Sequence, residues 1–576
     1  FQNNYDTKLG HPVYTNVSKK AGILSEGYGL GVNVVDVNND GWKDVYVSND
    51  YVSNNHMYIN NRNGTFTDKV AEYFKHTSRN AMGNDAADIN NDGLVDIFEV
   101  DMSPQDNYRI KMMYNPNSYQ VTRKMTEVGY MQQNVHNSLH LNMGLSLLGN
   151  DSIGSPIFCD VAYYSGVAQT DWSWAPLLVD VDNDGFRDLM VSNGLPKDVT
   201  NFDFMSYRTG SDPKTPLKDV LDKVPTLKLS NYIFKNNGDA TFTDKTLDWG
   251  WQNPTFSSGM AYADFDNDGD LDVIVNNTNM EASLLENTAN ENKSDSSNYI
   301  RIKLKGNATN LNGIGVKLNL YYNGKQQIYE CNPYRGYLSS VENIAHFGLG
   351  KTTNIDSIII QWPDFKTQKL TNVAANLILT VDYAKARTFN PTKIPVFATE
   401  NWFTDISKST GINFTSSEAE FVDFNVQRLL PRKFSQQGPS LSSADLNGDG
   451  LSDLLIGGGY PNNLKIFLQG ISGSFTQKTF LPPVKKRISD DTGVCVFDAD
   501  GDGALDIYIA AGSNENLPGS NDYTDKFYIN DGKANFKEIV KAIPANTASK
   551  SCVKAADFDA DGDLDLFIGG KTVTGI

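Results

Sequence analysis

Apolar positions along this chain alternate in short runs and do not form helical stripes. Seven runs stand out: DVYVSN from Asp44, DIFEVD from Asp96, DLMVSN from Asp188, DVIVNN from Asp272, DLLIGG from Asp453, DIYIAA from Asp506 and DLFIGG from Asp565. They are short and rich in β-branched and aromatic residues, and so predict strands. Downstream lies a second strand pattern, N-x-x-Y/F-x-N, then a turn and F-T-D. Asn55–Asp68 (NHMYINNRNGTFTD) and Asn231–Asp244 (NYIFKNNGDATFTD) carry it in full, and Lys526–Phe536 carries a looser copy. Each unit therefore predicts four antiparallel strands.

Every one of the seven runs is entered through the same loop, D-x-[DN]-x-D-G-x-x-D. The copies begin at Asp36, Asp88, Asp180, Asp264, Asp445, Asp498 and Asp557. Spacings of 52, 53 and 59 residues match a propeller blade, and the longer spacings of 92 and 84 predict insertions. The chemistry is that of a hard cation. Side-chain oxygens at positions 1, 3, 5 and 9 converge as the loop curls, position 7 offers a carbonyl, and Gly at position 6 permits the turn. The candidate ligands are Asp36, Asn38, Asp40 and Asp44 with the Trp42 carbonyl, and Asp88, Asn90, Asp92 and Asp96 with Leu94. Next come Asp180, Asp182, Asp184 and Asp188 with Phe186, and Asp264, Asp266, Asp268 and Asp272 with Asp270. The last three sets are Asp445, Asn447, Asp449 and Asp453 with Leu451, Asp498, Asp500, Asp502 and Asp506 with Ala504, and Asp557, Asp559, Asp561 and Asp565 with Asp563. An all-oxygen set of this size suits Ca²⁺ better than the smaller, stricter Mg²⁺ octahedron. Up to seven Ca²⁺ are expected, in structural sites. An EF-hand would need Glu at position 12, where only Glu99 complies; the other copies have Val or Ile, and a strand follows in place of a helix.

Charge fits this reading. The ligand positions hold 25 of the 69 acidic residues, and seven divalent ions, fourteen positive charges, would take the formal charge from −19 to −5. The acidity thus belongs to metal loops, and without a basic stripe no nucleic-acid partner is expected. No apolar stretch is long enough for a transmembrane helix. The first residue is Phe and the chain stops just after a strand-like run, so the sequence reads as an internal piece of a longer protein. Four cysteines, Cys159, Cys331, Cys495 and Cys552, are widely spaced and read as small buried residues.

The loops and GTFTD-type strands resemble the FG-GAP/VCBS repeat family, whose members are calcium-bearing β-propellers. Between the fourth and fifth loops, Asn312–Val316 (NGIGV), Gly336–Ser340 (GYLSS), His346–Gly350 (HFGLG) and Trp362-Pro-Asp364 resemble the ASPIC/UnbV domain; Phe365 stands where that family usually has Gly. The expected layout is all-β: residues 1–290 propeller blades with four loops, 291–386 a UnbV-like β-sandwich, and 400–576 a second propeller segment with three loops. A single seven-bladed ring, completed by residues 12–17 beside the Asp557 blade, is the alternative. The resemblance implies a secreted protein or lipoprotein on the outer face of a bacterial outer membrane, with SusC/SusD-like transporters as candidate partners.

No catalytic set emerges. His136 and His140 form H-x-x-x-H without the Glu of a zinc helix, and the alternating run NSLHLN suits a strand. Residues 103–135, rich in Met and Tyr, and 195–229, with a short amphipathic helix at 217–223, are insertions. With Trp172 and Trp174 between them, they form the expected partner surface, to which Tyr114, Tyr119 and Tyr130 would contribute. The function expected is a non-enzymatic binding or scaffold protein in an outer-membrane assembly. The alternatives are a polysaccharide lyase-type propeller and a carbohydrate-binding propeller stacking sugars on Trp172 and Trp174.

Overall fold

The computed structural model describes residues 1–113, 118–146, 155–212, 214–290, 297–388, 403–459, 462–480, 489–571 and 573. The chain divides into two compact units, Phe1–Glu400 and Asn401–Ile576.

In the first unit each loop joins the first two strands of an antiparallel blade. The first blade is Tyr28–Val35, Asp44–Asp50, His56–Asn60 and Phe66–Asp68. The second is Asn84–Ala87, Asp96–Glu99, Ser138–Ser146 and Ser155–Asp160. The third is Asp171–Val179, Asp188–Asn193, Tyr232–Asn236 and Phe242–Asp244, with Met102–Ser103 added at its edge. The fourth has three strands, Ser257–Ala263, Asp272–Asn277 and Ser283–Leu285. The hydrophobic cores lie between successive blades; the inner sheets are covered on both faces, whereas the first blade exposes Val32 and Val34 and the fourth exposes Ile274. Val35, Tyr46 and Met57 meet Val95, Ile97 and Phe158; Phe98 and Leu139 meet Leu189 and Phe234; Met190 and Ile233 meet Met260 and Val275. That is why DLMVSN is buried along its whole length. The insertions fold largely as helices: Leu217–Leu221 is the one expected at 217–223, and Asn107–Met112, Tyr119–Glu127 and Phe202–Gly210 are further ones the sequence reading did not include.

Residues 298–388 form a sandwich. Asn298–Lys305 lies between Ala345–Gly350 and Ile378–Asp382 in one sheet. The facing sheet runs Lys325–Glu330, Lys317–Tyr322, Asn354–Gln361, Lys366–Ala374 and Arg387–Thr388. Ile300, Ile302, Leu318, Phe347, Ile358 and Trp362 fill the space between them. Phe365 adopts φ +65, which explains the usual Gly there; its ring packs 5.8 Å from Trp42 of the first metal loop.

The second unit has three sheets built to the same plan. They are Leu441–Ala444 through Phe475–Lys478, Asp490–Phe497 through Phe536–Glu538, and the pair Lys550–Ala556 with Asp565–Gly570. His11–Thr15 pairs with Gln2–Asp6, and among the described residues the Lys550–Ala556 sheet has two strands. Cysteine placement corrects the sequence reading. Cys331 is buried, Cys495 is half-buried, and Cys159 and Cys552 are exposed because strand alternation turns them outward; all four are free thiols.

Candidate metal centres

The seven loops share one hydrogen-bonding plan. The position-1 carboxylate accepts the backbone N–H of the position-6 glycine, as in Gly41 to Asp36 (2.9 Å), Gly185 to Asp180 (2.8 Å) and Gly503 to Asp498 (2.9 Å). Those glycines sit at φ between +83 and +101, a region closed to other side chains without strain. The position-5 carboxylate accepts the N–H of position 7, as in Trp42 to Asp40 and Phe186 to Asp184. The position-9 aspartate holds the loop base. One oxygen accepts the position-2 N–H, and in loops whose sheet continues past the second strand the other accepts an N–H from the segment beyond: Val37 and Asn60 on Asp44, Val181 and Asn236 on Asp188, Ala499 and Asn530 on Asp506.

Two further residues, absent from the ligand list, link successive loops. Asparagine at position 4, in the left-handed conformation, donates to the position-6 carbonyl of the next loop: Asn39 to Gly93, Asn91 to Gly185 and Asn183 to Gly269. An asparagine in the third strand, or just beyond it, donates to the position-2 carbonyl of the preceding loop: Asn142 to Val37, Asn236 to Ile89, Asn287 to Val181 and Asn530 to Leu446. At Asn236, and at Asn530 in the looser copy, this residue is the final Asn of N-x-x-Y/F-x-N, so the motif was visible but its reach was not.

In the first unit the sandwich lies directly on the four loops. Lys317 donates to Asn39, and Lys43 pairs with Glu330 at 2.6 Å. The His346 Nε2 lies 2.6 Å from Asn183 Oδ1; burial drives its pKa down to about 3, so the ring is neutral. Gly269 faces Tyr299 so closely that a Cβ would fall 1.8 Å from the ring. Arg301, itself buried, bridges Asp264 and Glu342 at 2.5 Å each.

The donor set fits a divalent cation. Three-carboxylate clusters with converging oxygens form at Asp180, Asp182 and Asp188, at Asp264, Asp266 and Asp272, at Asp498, Asp500 and Asp506, and at Asp557, Asp559 and Asp565. Loops with Asn at position 3 have one carboxylate fewer. Burial pushes Asp44 and Asp88 up to about 7; burial, then repulsion from Asp182 and Asp184, pushes Asp180 up to about 8. Asp264 Oδ1 and Asp270 Oδ1 are buried with no partner, and the Lys235 amine sits against Asp182 and Asp184. Crowded, buried carboxylates of this kind are what a divalent cation is suited to neutralise.

Glu99, the one residue at the EF-hand position, belongs to a different network. Tyr46, Ser48 and Asn55 donate to its carboxylate, and burial lifts its pKa to about 7. A folded pKa above the ordinary value adds stability at low pH and loses it as pH rises through about 7. The Glu99→Gln variant is therefore expected to gain stability relative to the parent between about pH 5 and about pH 8. Thermal melts of both proteins at the two pH values check this; a pH-independent difference contradicts it.

The expected partner surface is partly corrected. Trp172 is 6% exposed, and Trp174 is half-buried with its Nε1 donating to Gly194 and its ring against Tyr337. Neither offers a stacking face, because both lie on a strand covered by neighbouring blades. Tyr114 lies outside the described residues. Tyr119 is half-buried and Tyr130 is exposed. The two insertions are joined: Arg109 pairs with Asp171 and Asp198, and Met113 bridges Asn201.

Comparisons with known proteins agree with this architecture. Residues 36–99, 226–275, 445–509 and 512–568 match the FG-GAP-like repeat, and 306–388 match ASPIC and UnbV. The third loop, Asp180–Asp188, falls outside the matched segments despite its identical geometry. The chain is 23% identical to cartilage acidic protein 1 of Mus musculus over 384 residues, and 22% identical to that of Homo sapiens over 386. These alignments cover 66% of this chain and 49% and 48% of the relatives, so the chain spans about half the length of the curated relatives it matches. A structural match to the V. cholerae biofilm matrix protein Bap1, with 11% identity, a TM-score of 0.20 and coverage of 93% of this chain and 73% of that one, carries no argument. The repeated loop geometry and the two family matches agree: the chain is an FG-GAP-like repeat protein with an ASPIC and UnbV domain.

Proposed function

We propose that this is a calcium-stabilised, non-enzymatic binding or scaffold protein, exported to a bacterial cell surface as an accessory component of a SusC/SusD-like outer-membrane assembly. The observation that carries the reading is the use of the loop carboxylates. In every loop they clamp backbone N–H groups of their own blade, and in the first unit the sandwich covers them. Ca²⁺ bound by positions 1, 3, 5 and 9 and the position-7 carbonyl would hold blades in shape and leave substrate no coordination position. The repeat and UnbV families, with relatives such as cartilage acidic protein 1, favour an extracellular or surface location. Among the described residues no helix is long and apolar enough to cross a membrane.

The partner face favoured is the joined insertions. Tyr108, Phe202 and Tyr207 are exposed there, on helices anchored through Arg109. Rigid aromatic anchors on a braced scaffold are what a protein partner engages. The test is recovery of the native protein from detergent-solubilised membranes, with and without EDTA, beside a Tyr108→Ser/Phe202→Ser variant. A stoichiometric outer-membrane partner, lost with the variant and with EDTA, is the expected result. Recovery of the protein alone, together with cleavage of an acidic polysaccharide into products with unsaturated ends, would replace the scaffold reading with a lyase.

A further inference from the structure

A second kind of metal chemistry sits in the second blade, away from the oxygen loops. His76 precedes the short strand Thr77–Ser78, which pairs in parallel with Gln133–Asn134, two residues before His136. Asp160 ends the fourth strand of the blade and stands opposite His140 in the register of the third and fourth strands. Three segments far apart in sequence thus converge. His76 Nε2 lies 3.1 Å and His136 Nε2 lies 3.0 Å from the same Asp160 oxygen, Oδ2. The other oxygen, Oδ1, accepts the backbone N–H groups of Leu139 and Ala162, which fixes the carboxylate and reserves Oδ2 for the histidines.

We propose that His76, His136 and Asp160 form a binding site for a late first-row divalent cation of the zinc class, with His140 as an adjoining third imidazole. The three ligand atoms lie within 4.8 Å of one another. Bonds of 2.0–2.1 Å in a tetrahedron give ligand–ligand edges of about 3.3 Å, close to the two nitrogen–oxygen separations observed. Two or three imidazoles with one carboxylate select zinc-class ions over Ca²⁺.

The independent observation is His140. It is buried, its Nε2 has no partner among the described residues, and its ring centroid is 5.8 Å from that of His76. His76 Nδ1 is likewise buried without a partner, so the hydrogen-bond network alone leaves two ring nitrogens unmatched. Phe74 and Phe158 wall the site on the His140 side, and Tyr163, largely exposed, stacks on His136 at 5.0 Å. The site is therefore dry behind and reachable in front. The sequence pointed away from it, because H-x-x-x-H on a strand lacks helical spacing; the missing ligands came from 60 residues upstream of His136 and 24 downstream.

The test uses the full chain without a histidine tag, saturated with Ca²⁺ and titrated with Zn²⁺ alone. A single Zn²⁺ per chain is expected to bind without displacing Ca²⁺. Co²⁺ in its place should give the intense visible bands of a tetrahedral site. His76→Ala and His136→Ala should each weaken binding by more than about 100-fold, since loss of even an outer-shell partner costs about 10–100-fold. His11→Ala and His56→Ala should change nothing. Unaltered Zn²⁺ binding in the His76→Ala/His136→Ala double variant, or no retained Zn²⁺ in the parent, overturns the proposal. Should the variants fold poorly, X-ray absorption of the Zn²⁺-loaded parent decides: imidazole scattering is expected, and a shell of oxygen alone overturns it.

Discussion

Excess EDTA is expected to lower the melting temperatures of both units, and to unfold the second first. A ligand that binds only the native state stabilises it by about 2.7 kcal/mol per site at one hundred times its dissociation constant. Several such sites per unit rival the whole stability of an ordinary domain, about 5–15 kcal/mol. In the first unit, cationic side chains already stand at the loops: Lys235 against Asp182 and Asp184, Arg301 against Asp264. The second-unit loops at Asp445, Asp498 and Asp557 have no such partner among the described ion pairs and are largely solvent-exposed, so they depend on calcium more fully. The stripped first unit should also acquire a pH dependence. Asp88 and Asp180 have pKa values raised to about 7 and about 8, so their contribution is present at low pH and lost as pH rises through those values. Scanning calorimetry with and without EDTA, at about pH 6 and about pH 8.5, reads both effects. Unchanged transitions, with no metal by elemental analysis, would sink the calcium assignment.

The second large effect is expected from Arg335→Ala. The segment Tyr334–Ser340 leaves the sandwich and enters the ring section. There the Arg335 Nε donates to Asp85 at 2.7 Å, and the other guanidinium nitrogens donate to the Ala86 carbonyl and the Tyr262 hydroxyl. Side-chain exposures are 6% for Arg335 and 0% for Asp85. Removing one partner of such a pair strands a buried charge and costs about 3–5 kcal/mol. Asp85 would keep the backbone N–H groups of Leu178 and Ala86 but no cation. The first unit alone should lose that stability. Arg335→Lys should not restore it, since an ammonium cannot span three acceptors arranged for a planar fork. Asp85→Asn/Arg335→Met should recover part of the loss, because no charge is left unpaired. Denaturant melts measure each variant; a loss for Arg335→Ala within about 0.5 kcal/mol of zero, the range of ordinary surface substitutions, would remove the pair from the account.

Metal loops and strands were legible because both are local. Asp and Gly at fixed offsets define a curl, and the β-branched run behind it has nowhere to go but a strand. The sandwich was legible for the same reason, from alternation and Gly turns. What escaped was what depends on neighbours. DWSWAP reads as exposed aromatic surface, yet the ring section covers that strand on both faces and buries Trp172. The Met- and Tyr-rich insertion read as irregular, but Ser118 caps the helix Tyr119–Glu127 by accepting the Val121 N–H. The left-handed Asn39, Asn91 and Asn183 occupy a loop position with no ligand role, and only the next blade reveals what their amides hold. The GYLSS motif signalled a domain family without signalling that Arg335, just before it, would enter the ring section.

That entry has a consequence for synthesis. Asp85 and Arg335 are separated by 250 residues. A chain made at about 5–20 residues per second exposes the carboxylate on the order of ten seconds or more before the guanidinium exists. During that interval the Asn84–Ala87 strand can pair with its neighbour but cannot bury Asp85 at neutral pH without stranding its charge. The second blade is therefore expected to close only once the sandwich has been made, although it is among the first to be synthesised, and a chain broken off before residue 335 is expected to remain open there to proteases and chaperones. Completion of the sandwich would then act as a checkpoint on the ring section beneath it.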